Sequence, residues 1–148
     1  MTASQPLRIA IAGAGIGGLA AGLCLARVGM RSTIFERAEA LEEVGAGLQL
    51  SPNALSVELL AHRSGRRIAE VPVHSADGTP YLSIHRAELQ AVLLAAVRAE
   101  PAITLTLGSE LRQMATDDAK VELSFGSGGG PERFDLLIAA DGVRSTVA

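Results

Sequence analysis

Three glycines, Gly13, Gly15 and Gly18, stand at the spacing G-x-G-x-x-G between an apolar run at residues 7–12 and an Ala- and Leu-rich stretch at 16–28. Gly29 closes that stretch, and a second apolar run, 32–35, ends at the acid Glu36. Strand, glycine turn, helix, strand and acid in this order leave few folds open, because the order is that of the βαβ unit that binds dinucleotides. Gly13 permits the tight turn off the strand, Gly15 lets the backbone approach a pyrophosphate, and Gly18 lets the helix pack close to the sheet. A side chain at position 15 is expected both to block the pyrophosphate and to strain the turn. The first N–H groups of the helix lie at its positive end and suit a diphosphate. Glu36, about 20 residues past the glycines, can accept hydrogen bonds from ribose hydroxyls. With 16 glycines in the chain the spacing alone could arise by chance, and a glycine-rich turn in an ordinary α/β domain is the alternative. The flanking elements, all in register, favour the nucleotide. Taken alone, Glu36 could be a solvated carboxylate at a strand end.

A core built from Ala, Val, Leu and Ile fits this unit, and composition supplies it: 48% of the 148 residues are hydrophobic and only 3% aromatic. Parallel sheets covered by helices read this way. The length suits one domain. A formal net charge of −3 gives no support for a nucleic-acid partner or an anionic membrane surface. No apolar run reaches the roughly 18 residues of a spanning helix, so no transmembrane segment is expected. Residues 1–6 lack the basic and apolar regions of a secretory signal. The single cysteine, Cys24, falls inside the first helical stretch and is expected to be a small buried hydrophobe. A cytoplasmic protein fits these features. The three histidines show no metal-like spacing.

Past Glu36, a polar connection at 37–43 leads into 44–50, where Gly45 and Gly47 interrupt an apolar run. That pattern marks a bulge or backbone that must approach something closely. Ser51 can cap and Pro52 can open a short helix over 54–61. A basic turn at 62–67, a strand at 68–73, a turn at 77–80 and a strand at 81–84 follow. Leu89, Val92, Leu93, Ala96 and Val97 recur at helical spacing over 86–98, and Glu100-Pro101 stops that helix. Residues 103–107, 111–116 and 121–125 read as strands, the last two in a small β layer, and the loop 126–131 as a hairpin connection. A continuous apolar strand at 134–140, expected to be buried on both faces, ends in Asp141-Gly142.

Taken together these stretches resemble the FAD-dependent aromatic hydroxylases, the single-component flavoprotein monooxygenases related to para-hydroxybenzoate and salicylate hydroxylases. The matching segments are I-A-G-A-G-I-G-G-L at 11–19, F-E-R at 35–37, G-A-G-L-Q-L-S-P-N-A at 45–54, I-H-R-A-E-L at 84–89 and D-L-L-I-A-A-D-G-V-R-S at 135–145. The resemblance implies an α/β fold, a three-layer, Rossmann-like FAD-binding domain of the glutathione-reductase type with a small antiparallel β layer. Its parallel sheet would be built from residues 7–12, 32–35, 103–107 and 134–140. Gly13, Gly15 and Gly18 would turn around the FAD pyrophosphate, with Glu36 on the adenosine ribose and Arg37 near the same half. Gly47 would pass close to the flavin, Arg86 would reach FAD from a helix start, and Leu111 would offer backbone contacts to adenine. Asp141 belongs to the late motif associated with flavin and nicotinamide. Arg86 could instead be a surface arginine and Asp141 a turn residue. His85 reads as a neighbour of Arg86.

The implied activity is hydroxylation of an aromatic or related small molecule by O₂, with FAD as cofactor and NADH or NADPH as reductant. The flavin carries the reaction, so no side chain is assigned a catalytic role. Members of the family are much longer, and the chain also looks shortened near residues 60–63. Residues 1–148 are therefore expected to form an incomplete FAD-binding domain. Two alternatives stay open: a nucleotide-binding module without turnover, and another FAD or NAD oxidoreductase on the same fold.

Overall fold

A parallel strand must be covered on both faces, and Ile9–Ala12 (β1) meets this condition with all four residues buried. The computed structural model describes residues 6–41, 47–50, 56–60, 67–72, 82–117, 119–126, 129–142, 145 and 147. After β1 come the helix Ile16–Arg27 (α1) and the strands Ser32–Phe35 (β2), Gly47–Leu50 (β3), Ser56–Leu60 (β4), Arg67–Pro72 (β5) and Leu82–His85 (β6). The helix Arg86–Ala99 (α2) follows, then Ile103–Thr106 (β7), Leu111–Thr116 (β8), Val121–Phe125 (β9), Glu132–Phe134 (β10) and Leu136–Ala139 (β11). The chain divides into two compact units, Met1–Glu43 with Gln90–Ala148, and Val44–Leu89.

The first unit is a three-layer α/β structure. Its parallel sheet runs in the order β11-β1-β2-β7, with Ile9 beside both Leu136 and Ser32, and Ser32 beside Ile103. Side chains alternate along each strand, and the two faces fill separately. Ile11 and Ile34 pack with Ala14, Leu19 and Val97, bringing in Leu93 and Leu94 of α2 on the helical face. Ala10 and Phe35 pack on the other face with Leu123 and Phe134. There the antiparallel sheet β10-β9-β8 covers the parallel one. All three phenylalanines of the chain meet at this junction. The Phe35 ring stacks on Phe125 at 4.3 Å between centroids and meets Phe134 edge-on at 5.7 Å. The parallel sheet, α1 on one face and the antiparallel layer on the other agree with the fold that the sequence implies.

Four local features depart from expectation. The run 134–140 is two strands: Phe134 ends β10, and β11 begins at Leu136. Asp135 marks the change of sheet, where its N–H donates to the Arg8 carbonyl and its Oδ2 accepts from the Arg8 N–H, both at 2.8 Å. Nor is this run buried on both faces. β11 stands at the sheet edge, and Leu136 keeps 45% of its surface exposed.

Cys24 is exposed rather than buried. Gly18, Leu19 and Gly22 face inward on α1, and a residue two past Gly22 lies on the opposite side of a helix with 3.6 residues per turn. The helix closes as Gly29 and Met30 donate their N–H groups to the Ala26 and Leu25 carbonyls, capping the last turn.

The second unit holds the fourth departure. Residues 56–60, expected within a short helix, form β4 and pair antiparallel with β5. Over so few residues the helical and strand periods are hard to tell apart. The hairpin register places Val57 opposite Val71 and Leu59 opposite Ala69, a pairing that no local helix offers. The helix start at 51–53 and the turns at 62–66 and 77–80 lie outside the described residues. β3 pairs antiparallel with β6.

Candidate functional site

β1 delivers the chain into the glycine turn at Ala12. Gly13 takes a φ of +98°, a left-handed value, and donates its N–H to the Phe35 carbonyl at 2.7 Å. A Cβ there would stand 2.4 Å from the Ala140 carbonyl oxygen. At Gly18 the crowding is worse, since a Cβ would lie 1.9 Å from the Gly13 carbonyl oxygen. Both glycines are therefore demanded by the fold itself. Gly15 is different: among the described residues, its chain neighbours aside, nothing lies within 4 Å of where its Cβ would be. Its φ of −67° and ψ of 178° are ordinary extended values. The expectation that a side chain at position 15 strains the turn is not met.

Gly15 is also the N-cap of α1. No side chain caps the helix there, and its first turn contains no acid. Among the described residues the N–H groups of Gly15, Ile16 and Gly17 meet no acceptor. Unpaired donors at the positive end of a helix make an anion site.

Glu36 follows β2 beside this turn. Its Oε2 accepts the Ala14 N–H at 2.7 Å, and its Oε1 accepts the Ala38 N–H at 2.9 Å. Its own N–H donates to the Thr106 carbonyl at 2.9 Å, and its carbonyl accepts the Ser109 N–H at 2.7 Å. The residue is half-buried and bonded on every side. It is not a solvated strand-end acid.

A cleft opens beyond the carboxyl ends of the parallel strands, where ligands bind in open α/β sheets. Five of the nine residues expected at a cofactor site line it: Gly13, Glu36, Arg37, Leu111 and Asp141. Asp141 is oriented by the Ser145 hydroxyl, which donates to its Oδ1 at 2.8 Å. Gly15 ends the turn that bounds the cleft through Gly13, and Gly18 lies in the first turn of α1 behind it. Gly47 and Arg86 belong to the second unit, where β3 pairs Gly47 with His85, and Arg86 follows His85 as the exposed first residue of α2.

Sequence reasoning passed over three residues. Ser109 and Glu110 also line the cleft, carried there by the turn at Gly108 that ties to the Glu36 segment. Gln90 is 6% exposed, and its Nε2 donates to the Ala14 carbonyl at 3.3 Å. The available signal was its position, seven residues before Val97 on the apolar stripe of α2. Among the described residues no cluster of His, Cys, Asp and Glu could hold a metal ion. No described helix is long and apolar enough to cross a membrane.

No family model matches the chain. It is 33% identical to 6-hydroxynicotinate 3-monooxygenase of Bordetella bronchiseptica, over 93% of its own residues and 41% of that protein. It is 35% identical to 3-hydroxybenzoate 6-hydroxylase 1 of Aquipseudomonas alcaligenes, over 94% of its residues and 41% of the relative. Among solved structures, 2,6-dihydroxypyridine-3-hydroxylase from Arthrobacter nicotinovorans superimposes with a TM-score of 0.71 at 22% identity, over 98% of this chain and 39% of the other. The flavin-dependent monooxygenase PieE, solved with FAD and substrate, gives a TM-score of 0.74 at 19% identity, over 95% and 31%. The chain thus spans about two fifths of the length of the curated relatives that it matches.

Proposed function

Since the relatives of this chain along nearly its whole length are FAD-dependent aromatic hydroxylases, we propose that residues 1–148 are the FAD-binding part of an NAD(P)H-dependent flavoprotein monooxygenase. The substrate class is an aromatic or related small molecule. One observation carries the reading: five separately placed residues expected on the cofactor line a single cleft at the carboxyl ends of the strands. Gly15 and the α1 N-terminus supply the diphosphate cradle, because among the described residues nothing crowds a Cβ at Gly15 and nothing accepts from these donors. Glu36 accepts from the adenosine ribose, with Arg37 beside it, and the Leu111 backbone faces adenine. Asp141 lies toward the flavin. Gly47 and Arg86 keep the cofactor roles that the resemblance gives them. When bound, FAD supplies the redox and oxygen chemistry, and the protein binds, orients and excludes water. The chain's single cysteine suits a reducing compartment, and a cytoplasmic setting is part of the proposal.

The alignment with the Bordetella relative extends over 162 residues, more than the 148 of the chain, so the relative carries residues with no counterpart here. This supports an FAD domain shortened internally. The second reading is a nucleotide-binding module without turnover. Titration with ADP and with FAD, together with flavin absorbance, tests the proposal. Saturable binding of both and a yellow protein are expected, without substrate-dependent NADH oxidation by these residues alone. Colourless protein that binds NADH and not FAD would overturn it, and hydroxylation by the 148 residues would overturn the second reading.

A further inference from the structure

Gln90 is a buried amide on a helix face otherwise given to Leu93, Leu94 and Val97. Burying such a group is costly unless it is hydrogen-bonded, and its bond goes to the glycine turn, at the Ala14 carbonyl. Ala14 is fully buried, and its N–H is held by Glu36. The two peptide planes flanking Ala14 are thus each held by a side chain from another element. Glu36 fixes the Gly13–Ala14 peptide, and Gln90 fixes the Ala14–Gly15 peptide.

The second clamp has a directional consequence. In a planar trans peptide the C=O and N–H point opposite ways. Holding the Ala14 carbonyl toward α2 turns the Gly15 N–H away from α2, where it meets no acceptor among the described residues. A flip of this peptide would present a carbonyl in place of the N–H. Position 15 invites that flip, since a residue without Cβ populates the required φ values readily. The absent side chain that leaves room for a diphosphate also loosens the peptide that must donate to it.

We propose that Gln90 is a positioning residue for the diphosphate, locking the Ala14–Gly15 peptide with its N–H toward the ligand. This rests on the nucleotide reading above. Gln90→Met keeps the length and removes the donor; Gln90→Asn keeps an amide that is one methylene short. Each should weaken ADP binding in calorimetric titration about three- to tenfold, the loss of one hydrogen bond's orienting effect. Each should also shift or broaden the Gly15 amide resonance in ¹⁵N–¹H spectra of the ligand-free protein. Val97→Ala, from the same helix face, should lower the melting temperature while leaving the Gly15 amide and ADP affinity in place. Unchanged ADP affinity, or an unchanged Gly15 amide, in both Gln90 variants overturns the proposal. Wild-type protein that fails to bind ADP overturns the nucleotide reading instead, and the Gly15 amide still decides whether Gln90 sets the peptide.

Discussion

Glu36 accepts the N–H of Ala14 at 2.7 Å, so the acid that follows β2 closes the glycine turn that follows β1. Its other oxygen is held by Ala38 at 2.9 Å. Glu36→Gln puts an NH₂ group against one of these donors. Unfolding free energy without ligand should fall by about 1 kcal/mol, the usual worth of one such bond. ADP binding should weaken by about 1–3 kcal/mol through loss of a charge-assisted acceptor. Thermal melts and calorimetric titration read the two effects separately. Unchanged ADP affinity would remove Glu36 from the ribose.

The glycines of the turn should separate into two classes. Gly18→Ala places a methyl where the Gly13 carbonyl stands and should cost about 3 kcal/mol or more of stability. Gly15→Ala meets nothing among the described residues and needs no unusual φ, so stability should change by less than about 1 kcal/mol. Gly15→Val should keep the fold and lose ADP by bulk. Denaturant midpoints measured beside ADP titrations distinguish them; a Gly15 variant that unfolds would show that the open space serves the fold.

Phe134 is 2% exposed and joins both sheets through Phe35. Phe134→Ala should cost about 3–5 kcal/mol, the range for a buried aromatic cut to a methyl. Chemical denaturation measures it, and a loss under about 1 kcal/mol would mean that the antiparallel layer is not anchored there.

Acid should loosen the antiparallel layer before the rest. The Lys120 ammonium and then the Arg8 N–H hold the Asp135 carboxyl below its ordinary value of 3.8. Asp117 is lowered in the same way by the N–H groups of Ala119 and Lys120, with Arg133 adding to it. A carboxylate depressed in the folded state contributes stability above its unfolded pKa and loses it as pH falls through the folded one. The melting temperature should therefore drop as pH falls below about 4, and less steeply in Asp135→Asn, which lacks this stabilisation at pH 7. A wild-type and variant pair with the same acid slope would contradict it.

The sequence carried most of this architecture because its signals were local. The glycine spacing, the strand that follows and the acid at 36 lie within one βαβ unit, and the structure forms that unit with β2 on the expected residues 32–35. Other features depended on partners outside the segment itself. Residues 56–60 became a strand because β5 supplies the pairing, and the run at 134–140 divided because two sheets compete for it. Cys24 was misplaced by composition where helical phase decides. Gln90 was passed over since a single polar residue on an apolar stripe announces nothing until its acceptor is known. The cleft was readable as a set of residues but not as a shape, since Ser109 and Glu110 reach it through a turn.

The strand order β11-β1-β2-β7 has a consequence for assembly. β1 lies next to β11, which follows it by more than 120 residues, so the edge that β11 covers stays without that partner until residues 136–139 have been synthesised. At 5–20 residues per second this is roughly ten seconds. During that time β1, α1, β2 and β7 can form a partial sheet from contacts that are comparatively local, and the pairing of Ile9 with Leu136 must wait for the later strand. An apolar strand edge waiting that long is where nascent chains of this protein would associate with one another, or where a chaperone would find them.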